Sequence, residues 1–418
     1  MKSQVIDVRP SVSPAPDPLA PSIARHRAGF WIVAFAFAVA MAFSTAPTPL
    51  WNLYRQRDHF STTMVTVAFA AYAVGVVISL FLVGHVSDWL GRRRILVPAM
   101  LLEVVAAVMF LFWPDLPGLV LARVITGIGI GMITATATAH LAELHAVARP
   151  KAPPLRAGLV ATAANTGGLA IGPLAAGLVV QYVDSKLTVP YLLFLILLVG
   201  SAVGLALVPE TVPAERAESQ PYRPQRVAVP PTDRSRYFAV AAAAFGLFAI
   251  LGLFTSLAPS FLAAIGQTAP VMAGLAAFGV FGAATVAQLL LGRVAPARQL
   301  AIGISGTALG VVVLAAGVLL TSPAGFLAGG LIAGGGAGVL FKGSLGTAAM
   351  LAPSHARGEA IAGVFLTAYV GLAIPVLGIG FASRLGVPLH TSLLGFSALV
   401  LAVMAAVAAT LRRHPARA

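Results

Sequence analysis

Apolar positions in this chain do not alternate with polar ones, nor do they mark one face of a helix. They fill long runs. A helix needs about 20 mostly apolar residues to cross the hydrocarbon core of a bilayer. Runs of that kind recur at Phe30–Ala46, Thr62–Val83, Ile95–Phe112, Leu116–Leu141, Gly158–Val183 and Val189–Val208. They resume at Phe238–Ile265, Val271–Leu291, Leu300–Leu320, Ala324–Leu351, Ile361–Ala382 and Leu389–Leu411. A membrane barrel would use alternating strands about half as long. The pattern therefore predicts an all-α membrane protein with twelve transmembrane helices.

One polar interval stands out by length. Residues 209–236, "PETVPAERAESQPYRPQRVAVPPTDRSR", divide the runs six and six. The chain accordingly divides into an N-terminal tail (1–27), a six-helix half (28–208), a linker (209–236), a second half (237–411) and a C-terminal tail (412–418). The N-terminal tail is rich in Pro and Ser and has no apolar core. It reads as a disordered segment and not as a cleaved signal. The halves echo each other: "FSTAPT" from Phe43 and "FTSLAPS" from Phe254, "GHV" at Gly84 and "GRV" at Gly292. Gly127, Gly129 and Gly131 return as Gly334, Gly336 and Gly338, and "GLAIGP" from Gly168 returns as "GLAIP" from Gly371. Four matches in the same order point to internal duplication. Two six-helix repeats imply a pseudo-symmetric bundle with a substrate path between its halves.

Composition agrees. Hydrophobic residues make up 59% of the 418 and charged residues 10%, against roughly 25% charged in soluble domains. The net charge of +14 would suit a nucleic-acid binder, but its distribution does not. If the N-terminus is cytoplasmic, 21 of the 27 Lys and Arg fall on the cytoplasmic side, among them Arg92–Arg94, Arg149, Lys151 and Arg156. Only Arg55, Arg57, Lys186 and Arg384 fall on the other. That is a positive-inside bias, with both termini cytoplasmic. Membrane lipid and a small solute are the expected partners, nucleic acid is not, and the chain is expected to act as a monomer. No cysteine is present, so a disulfide or thiolate metal site is excluded, and no metal or cofactor is expected. The excess of Arg over Lys and of Ala fits a GC-rich bacterial genome and a cytoplasmic membrane.

Charge concentrates in "GHVSDWLGRRR", Gly84 to Arg94, between spans two and three. The arginines alone can serve as a topology determinant. They do not explain Gly84, Asp88 and Gly91. Asp88 can accept hydrogen bonds from a neighbouring helix N-terminus, and Arg92 offers a fork that suits Glu143 at the end of span four. The pattern G-x-x-x-D-x-x-G-R-R resembles the loop signature of the major facilitator superfamily. "RVITGIGIG" resembles that family's Arg-x-x-x-Gly motif at Arg123 and Gly127. "GLAIGPLAAG" resembles its antiporter motif at Gly168, Gly172, Pro173 and Gly177, and "PET" at Pro209 resembles the end of span six in drug-efflux members. Trp89 stands where the family usually has a basic residue, and "GRVAPAR" in the second half has Pro296 in place of the aspartate. The resemblance implies a cytoplasmic clasp of Gly84, Asp88, Gly91, Arg92, Arg93 and Glu143 that favours the outward-open state. On that reading Asp88→Asn cripples transport but not insertion.

Charges inside spans are costly, roughly 2.5–3.5 kcal/mol at the centre. Arg123 in span four and Lys342 in span ten are read either as cavity groups for an anion or a coupled proton, or as a helix tie and a snorkelling lysine. Glu103 in span three either titrates or reaches the interface. Asp88, His85 and His140 are the other titrating candidates. Asn165 and Gln288 either bond helices together or bind substrate. Thr45, Asn52, Tyr54 and Tyr369 are further cavity candidates, and Trp51 and Tyr182 read as interface anchors. "GIGIG" lacks the strand, third glycine and acidic residue of a dinucleotide site, and no phosphate loop occurs. Nothing in the sequence supports an enzyme. The expected function is secondary transport by alternating access, as proton-coupled efflux of small amphipathic molecules. The alternatives are a carrier of an anionic metabolite or sugar and, behind it, a non-transporting membrane receptor.

Overall fold

The computed structural model describes residues 22–83, 86–153, 155–212, 222–230 and 233–414. Twelve long apolar helices dominate them, each long enough to cross a bilayer. The first half contains α1 (Ile23–Thr45), α2 (Thr62–Leu82), α3 (Arg92–Phe112), α4 (Leu116–Ala148), α5 (Leu155–Tyr182) and α6 (Val189–Leu207). The second contains α7 (Arg234–Ser256), α8 (Pro270–Leu290), α9 (Pro296–Leu319), α10 (Pro323–Leu351), α11 (Arg357–Arg384) and α12 (Leu389–Arg413). Their outer faces expose Trp31, Phe35, Phe112, Ile196, Leu290 and Leu319. Such a surface would be an association patch in water and is ordinary lipid contact in a bilayer. The protein is a multi-pass membrane protein with twelve spans.

Two of the apolar runs end in a broken helix, for one reason. The first run stops at Thr45, and a 3-10 turn, Thr48–Leu50, leads into a short helix, Trp51–Asp58. The seventh run, expected unbroken from Phe238 to Ile265, stops at Ser256 and restarts as Ala258–Ala264. Pro47, Pro49 and Pro259 lack the amide hydrogen a continuous helix needs. The echoing segments from Phe43 and Phe254 thus make the same broken helix end twice. α4 runs seven residues past its expected end at Leu141, to Ala148, and this carries Glu143 onto the helix.

The glycine runs show the duplication in three dimensions. Residues i and i+4 share a helix face, while i+2 points away. Gly127 abuts the backbone of α2 at Tyr72 and Gly75, and Gly131 abuts Ser79 of α2. Gly129 faces α3, with the Glu103 carboxyl in the notch left by its missing side chain. In the second half Gly334 and Gly338 abut α8 at Val280 and Ala284, and Gly336 abuts Gly306 and Thr307 of α9. Small residues allow this backbone approach where apolar burial supplies no drive. Between the halves, α2 packs against α11 and α5 against α8.

Candidate functional site

The halves touch firmly at one end and separate at the other. At the end bearing the short helices, Asn52 Nδ2 donates to the Pro259 carbonyl at 2.8 Å and Arg55 Nη1 donates to Ser260 Oγ at 3.0 Å. Thr63 Oγ1 donates to the Gly380 carbonyl at 2.6 Å. These bonds join the two halves. Toward the arginine-rich end lies a vestibule of about 790 Å³, bounded by Leu80 of α2, Leu155 of α5, Leu345 of α10 and Ile361 of α11. Lys342 and Gln288 line it. Deeper, between the halves, lies a central cavity of about 110 Å³ walled by Arg123 and by rings from both halves, including Trp51, Phe248, Phe281, Phe341 and Phe365. Thr134, Asn165 and Tyr369 border both spaces, so they are consecutive parts of one path.

Arg123 is 3% exposed. Its Nη1 donates to the Ser44 carbonyl at 2.6 Å, and its guanidinium lies 4.6 Å from the Tyr72 ring centre and 5.8 Å from that of Phe69. It is therefore both a tie to α1 and a cavity wall. Glu103 does not reach the interface: it is fully buried, and neither carboxyl oxygen has a hydrogen-bond partner among the described residues. It borders neither cavity.

The α5 motif divides its work. Pro173 has no N–H, so the Leu169 carbonyl four residues earlier loses its helical donor. Thr45 Oγ1 of α1 supplies one at 3.0 Å. Gly168 and Gly172 bring the α5 backbone against the Ala38 and Ala42 carbonyls of α1, within the first half. Across the half interface Gly177 packs against Pro270 and Val271 of α8, and the Pro173 backbone meets Gly274 of the same helix. Gly371 of α11 meets the Phe245 carbonyl of α7 as Gly168 meets α1. Asn165 sits in a π-helical turn, Ala163–Gly167, an irregularity common at functional sites.

At the arginine-rich end, Arg92 is the hub. Its Nη2 and Nε donate to Glu143 at 2.8 and 3.2 Å, and its Nη1 donates to Ser87 Oγ and Asp88 Oδ1 at 2.8 and 2.5 Å. Thr211 Oγ1 donates to Glu143 Oε2 at 2.5 Å. Asp88 caps no neighbouring helix here. That place belongs to Glu210, which accepts the Arg92 and Arg93 backbone N–H groups at 2.8 and 3.0 Å. An anion suits a helix N-terminus, where amides lack partners. Gly91 is required twice over: its φ is +114°, and a Cβ there would meet the Glu210 carboxyl at 2.7 Å. These bonds join elements of the first half to one another and to the start of the linker. Gly84 and His85 lie outside the described residues. His140 Nε2 meets the Pro209 carbonyl at 3.1 Å, holding the same segment. Glu210→Ala is expected to lower stability by about 1–2 kcal/mol, the scale of a lost charged cap. Thermal unfolding in detergent should show it, with Glu210→Gln recovering part of the loss.

The model of the Major Facilitator Superfamily matches residues 30–375. The chain belongs to the Major Facilitator Superfamily. It is a transporter and not an enzyme. Over 83 residues it is 32% identical to the arabinose-proton symporter of Bacillus subtilis (strain 168), an alignment covering 20% of this chain and 18% of that protein. Its fold resembles a mutant of the nucleoside transporter NupG (TM-score 0.70, 12% identity, 92% of this chain and 99% of that one). It also resembles the xylose transporter XylE from E. coli in a partially occluded inward open conformation (TM-score 0.70, 13% identity, 94% and 98%).

In this superfamily member the structure brings Arg123, Asn165, Gln288, Lys342 and Tyr369 to the path. It places others elsewhere. Asn52 bonds the sealed end and lines neither path cavity. Gly127 is spent on the contact with α2. Tyr54 is buried in the first half, donating to Tyr191 at 3.2 Å. Trp51 is no interface anchor: it is 1% exposed and lines the central cavity. Tyr182 is exposed, as an anchor requires. The phenylalanine wall and the capping role of Glu210 emerge only in the folded chain. The signal for the wall was the presence of large rings on helices otherwise made of Ala and Gly.

Proposed function

We propose that this superfamily member is an alternating-access transporter of small amphipathic molecules in a bacterial cytoplasmic membrane. Both termini are cytoplasmic, and the state described here is inward-open. The observation that carries this is the continuous path between the halves. It widens toward the arginine-rich end and is closed at the other by Asn52–Pro259, Arg55–Ser260 and Thr63–Gly380. The positive-inside rule makes the arginine-rich end cytoplasmic. The Asp88 side chain is 65% exposed and, among the described residues, is tied to Arg92 alone. It is the group placed to dock on the second half when the cytoplasmic ends converge, while Arg92, Glu143 and Glu210 brace the first half.

Coupling to protons and outward direction belong to the same proposal, the direction by likeness of the α5 motif to antiporters. The acid proposed to carry the proton is Glu103. An ionised carboxylate buried without a partner costs far more than the neutral acid, so its charge should change only when the packing around it does. The partial match to an arabinose-proton symporter favours a second reading, proton-linked sugar transport. A largely aromatic cavity with few free polar groups fits a polyhydroxylated solute poorly.

The test is flux in proteoliposomes under an imposed pH gradient, with a panel of drugs, sugars and organic acids. Gradient-driven flux is expected for at least one amphipathic solute. Glu103→Gln should lose that response and keep equilibrium exchange. Exchange indifferent to the gradient in the unmodified protein would remove the proton coupling.

A further inference from the structure

The central cavity contains a cation, Arg123, that has no counter-ion among the described residues. Arg123 has five donors. Among the described residues one bond satisfies Nη1, at Ser44, and Nε has no partner. Among the described residues no carboxylate lies within ion-pair distance of Arg123. Glu103 is the nearest buried acid in sequence, but its oxygens are tucked against Gly129, six residues and about 9 Å along α4 from Arg123. Its field and the Tyr72 ring offset part of the charge without using the free donors. Burying a charge this deeply is expensive unless something pairs with it.

The rest of the wall narrows what that something is. Among the described residues no Asp or Glu lines the cavity or the vestibule, and the second cation, Lys342, stands in the vestibule. A low-dielectric passage lined by one sign of charge concentrates ions of the other sign. The hydroxyls of Ser44, Thr45, Thr134 and Thr255 already donate to backbone carbonyls. The other donors of the wall, on Asn165, Thr48, Trp51, Tyr72 and Tyr369, are neutral, so Arg123 is the one charged donor among the described lining residues. Facing Arg123 is a connected set of rings: Phe248 lies 5.3 Å from Tyr369 and 5.4 Å from Phe341, which lies 5.5 Å from Phe365. The space of about 110 Å³ is of the same order as the cavity of about 150 Å³ that holds a benzene ring, and it opens into the vestibule.

We propose that the substrate is a small organic anion, a carboxylate on a single flat apolar or aromatic body. Arg123 takes the carboxylate, the ring wall takes the body, and Lys342 draws the anion into the vestibule. This rests on reading the cavity as the transport path, and it names the substrate class of that same site.

The experiment uses the full-length protein and four probes of one size range: benzoate, benzyl alcohol, benzylamine and arabinose. Binding is read by calorimetry in detergent, and transport by counterflow in proteoliposomes. Benzoate is expected to bind and exchange at least 10-fold better than each of the others. Arg123→Gln should weaken benzoate at least 10-fold and narrow its advantage over benzyl alcohol, while Arg123→Lys should recover part of it. Should Arg123→Gln fail to fold, the four-probe comparison on the unmodified protein decides alone. Preference for benzylamine or arabinose, or an Arg123→Gln variant that binds benzoate normally, overturns the anion site and leaves the transporter reading standing. Should no probe exchange, the transport reading is what suffers. Calorimetry then still separates an anion site, with benzoate bound in preference, from none.

Discussion

Gly127→Leu is expected to leave little folded protein. Gly127 is where α4 crosses α2, and even a Cβ would press on the Tyr72 carbonyl and lie 2.9 Å from Gly75 Cα and from Val76 N. The obstacles are backbone atoms, which cannot rotate away as a side chain can. Overpacking a core by a few carbons costs about 1–3 kcal/mol where side chains can yield, and more where they cannot. Separating the helices also pulls Phe69 and Tyr72 from Arg123, and Tyr72 from its contact with Tyr369 at 6.4 Å across the half interface. Size-exclusion chromatography of detergent extracts should show the monodisperse fraction falling several-fold. Gly158→Ala is the control: nothing lies within 4 Å of a Cβ there, and alanine favours a helix by up to about 1 kcal/mol. An unchanged profile for Gly127→Leu would mean that the crossing is looser than described.

Arg92→Ala is expected to be the most damaging single change at the arginine-rich end, and more damaging than Asp88→Asn. The Arg92 side chain is 9% exposed, that of Glu143 is 34% exposed and that of Asp88 is 65% exposed. Exposed pairs contribute about 0–1 kcal/mol. Breaking a fully buried pair costs about 3–5 kcal/mol. The half-buried Arg92–Glu143 pair falls between, at about 2 kcal/mol, so a lowered melting temperature and depressed flux are expected together. Asp88→Asn should leave the melting temperature within error. If it lowers flux, that loss reports on the outward-facing state, in which Asp88 is proposed to dock on the second half. An Arg92→Ala protein with normal melting temperature and normal flux would show that the network does nothing at this end.

Much of this molecule was legible in one dimension. The apolar runs located all twelve helices, because lipid forces a spanning backbone to satisfy its own hydrogen bonds. The Arg-x-x-x-Gly and G-x-x-x-D-x-x-G-R-R patterns named Arg123 and Arg92, and the place of Glu143 at the end of span four named it as the partner of Arg92; Arg123 sits in the cavity wall and the other two in the brace. Asn52 and Trp51 were misplaced because the proline breaks after Thr45 turn the chain there, and a hydropathy run does not register the turn. Glu210 was missed as a cap because its partners, the amides of Arg92 and Arg93, are over a hundred residues away in sequence.

The sequence by itself determined the helices, the two-fold repeat and the segregation of arginines. Each follows from local length, composition and the cost of moving charge across lipid. Only the tertiary structure decided which face of each helix looks inward, which end of the path is closed, and that Arg123 has no counter-ion among the described residues, Glu103 lying out of its reach. Nearly every face of these helices is apolar, so no periodicity marks the side that meets the cavity. That side is chosen by where neighbouring backbones pass close enough to exclude everything larger than glycine.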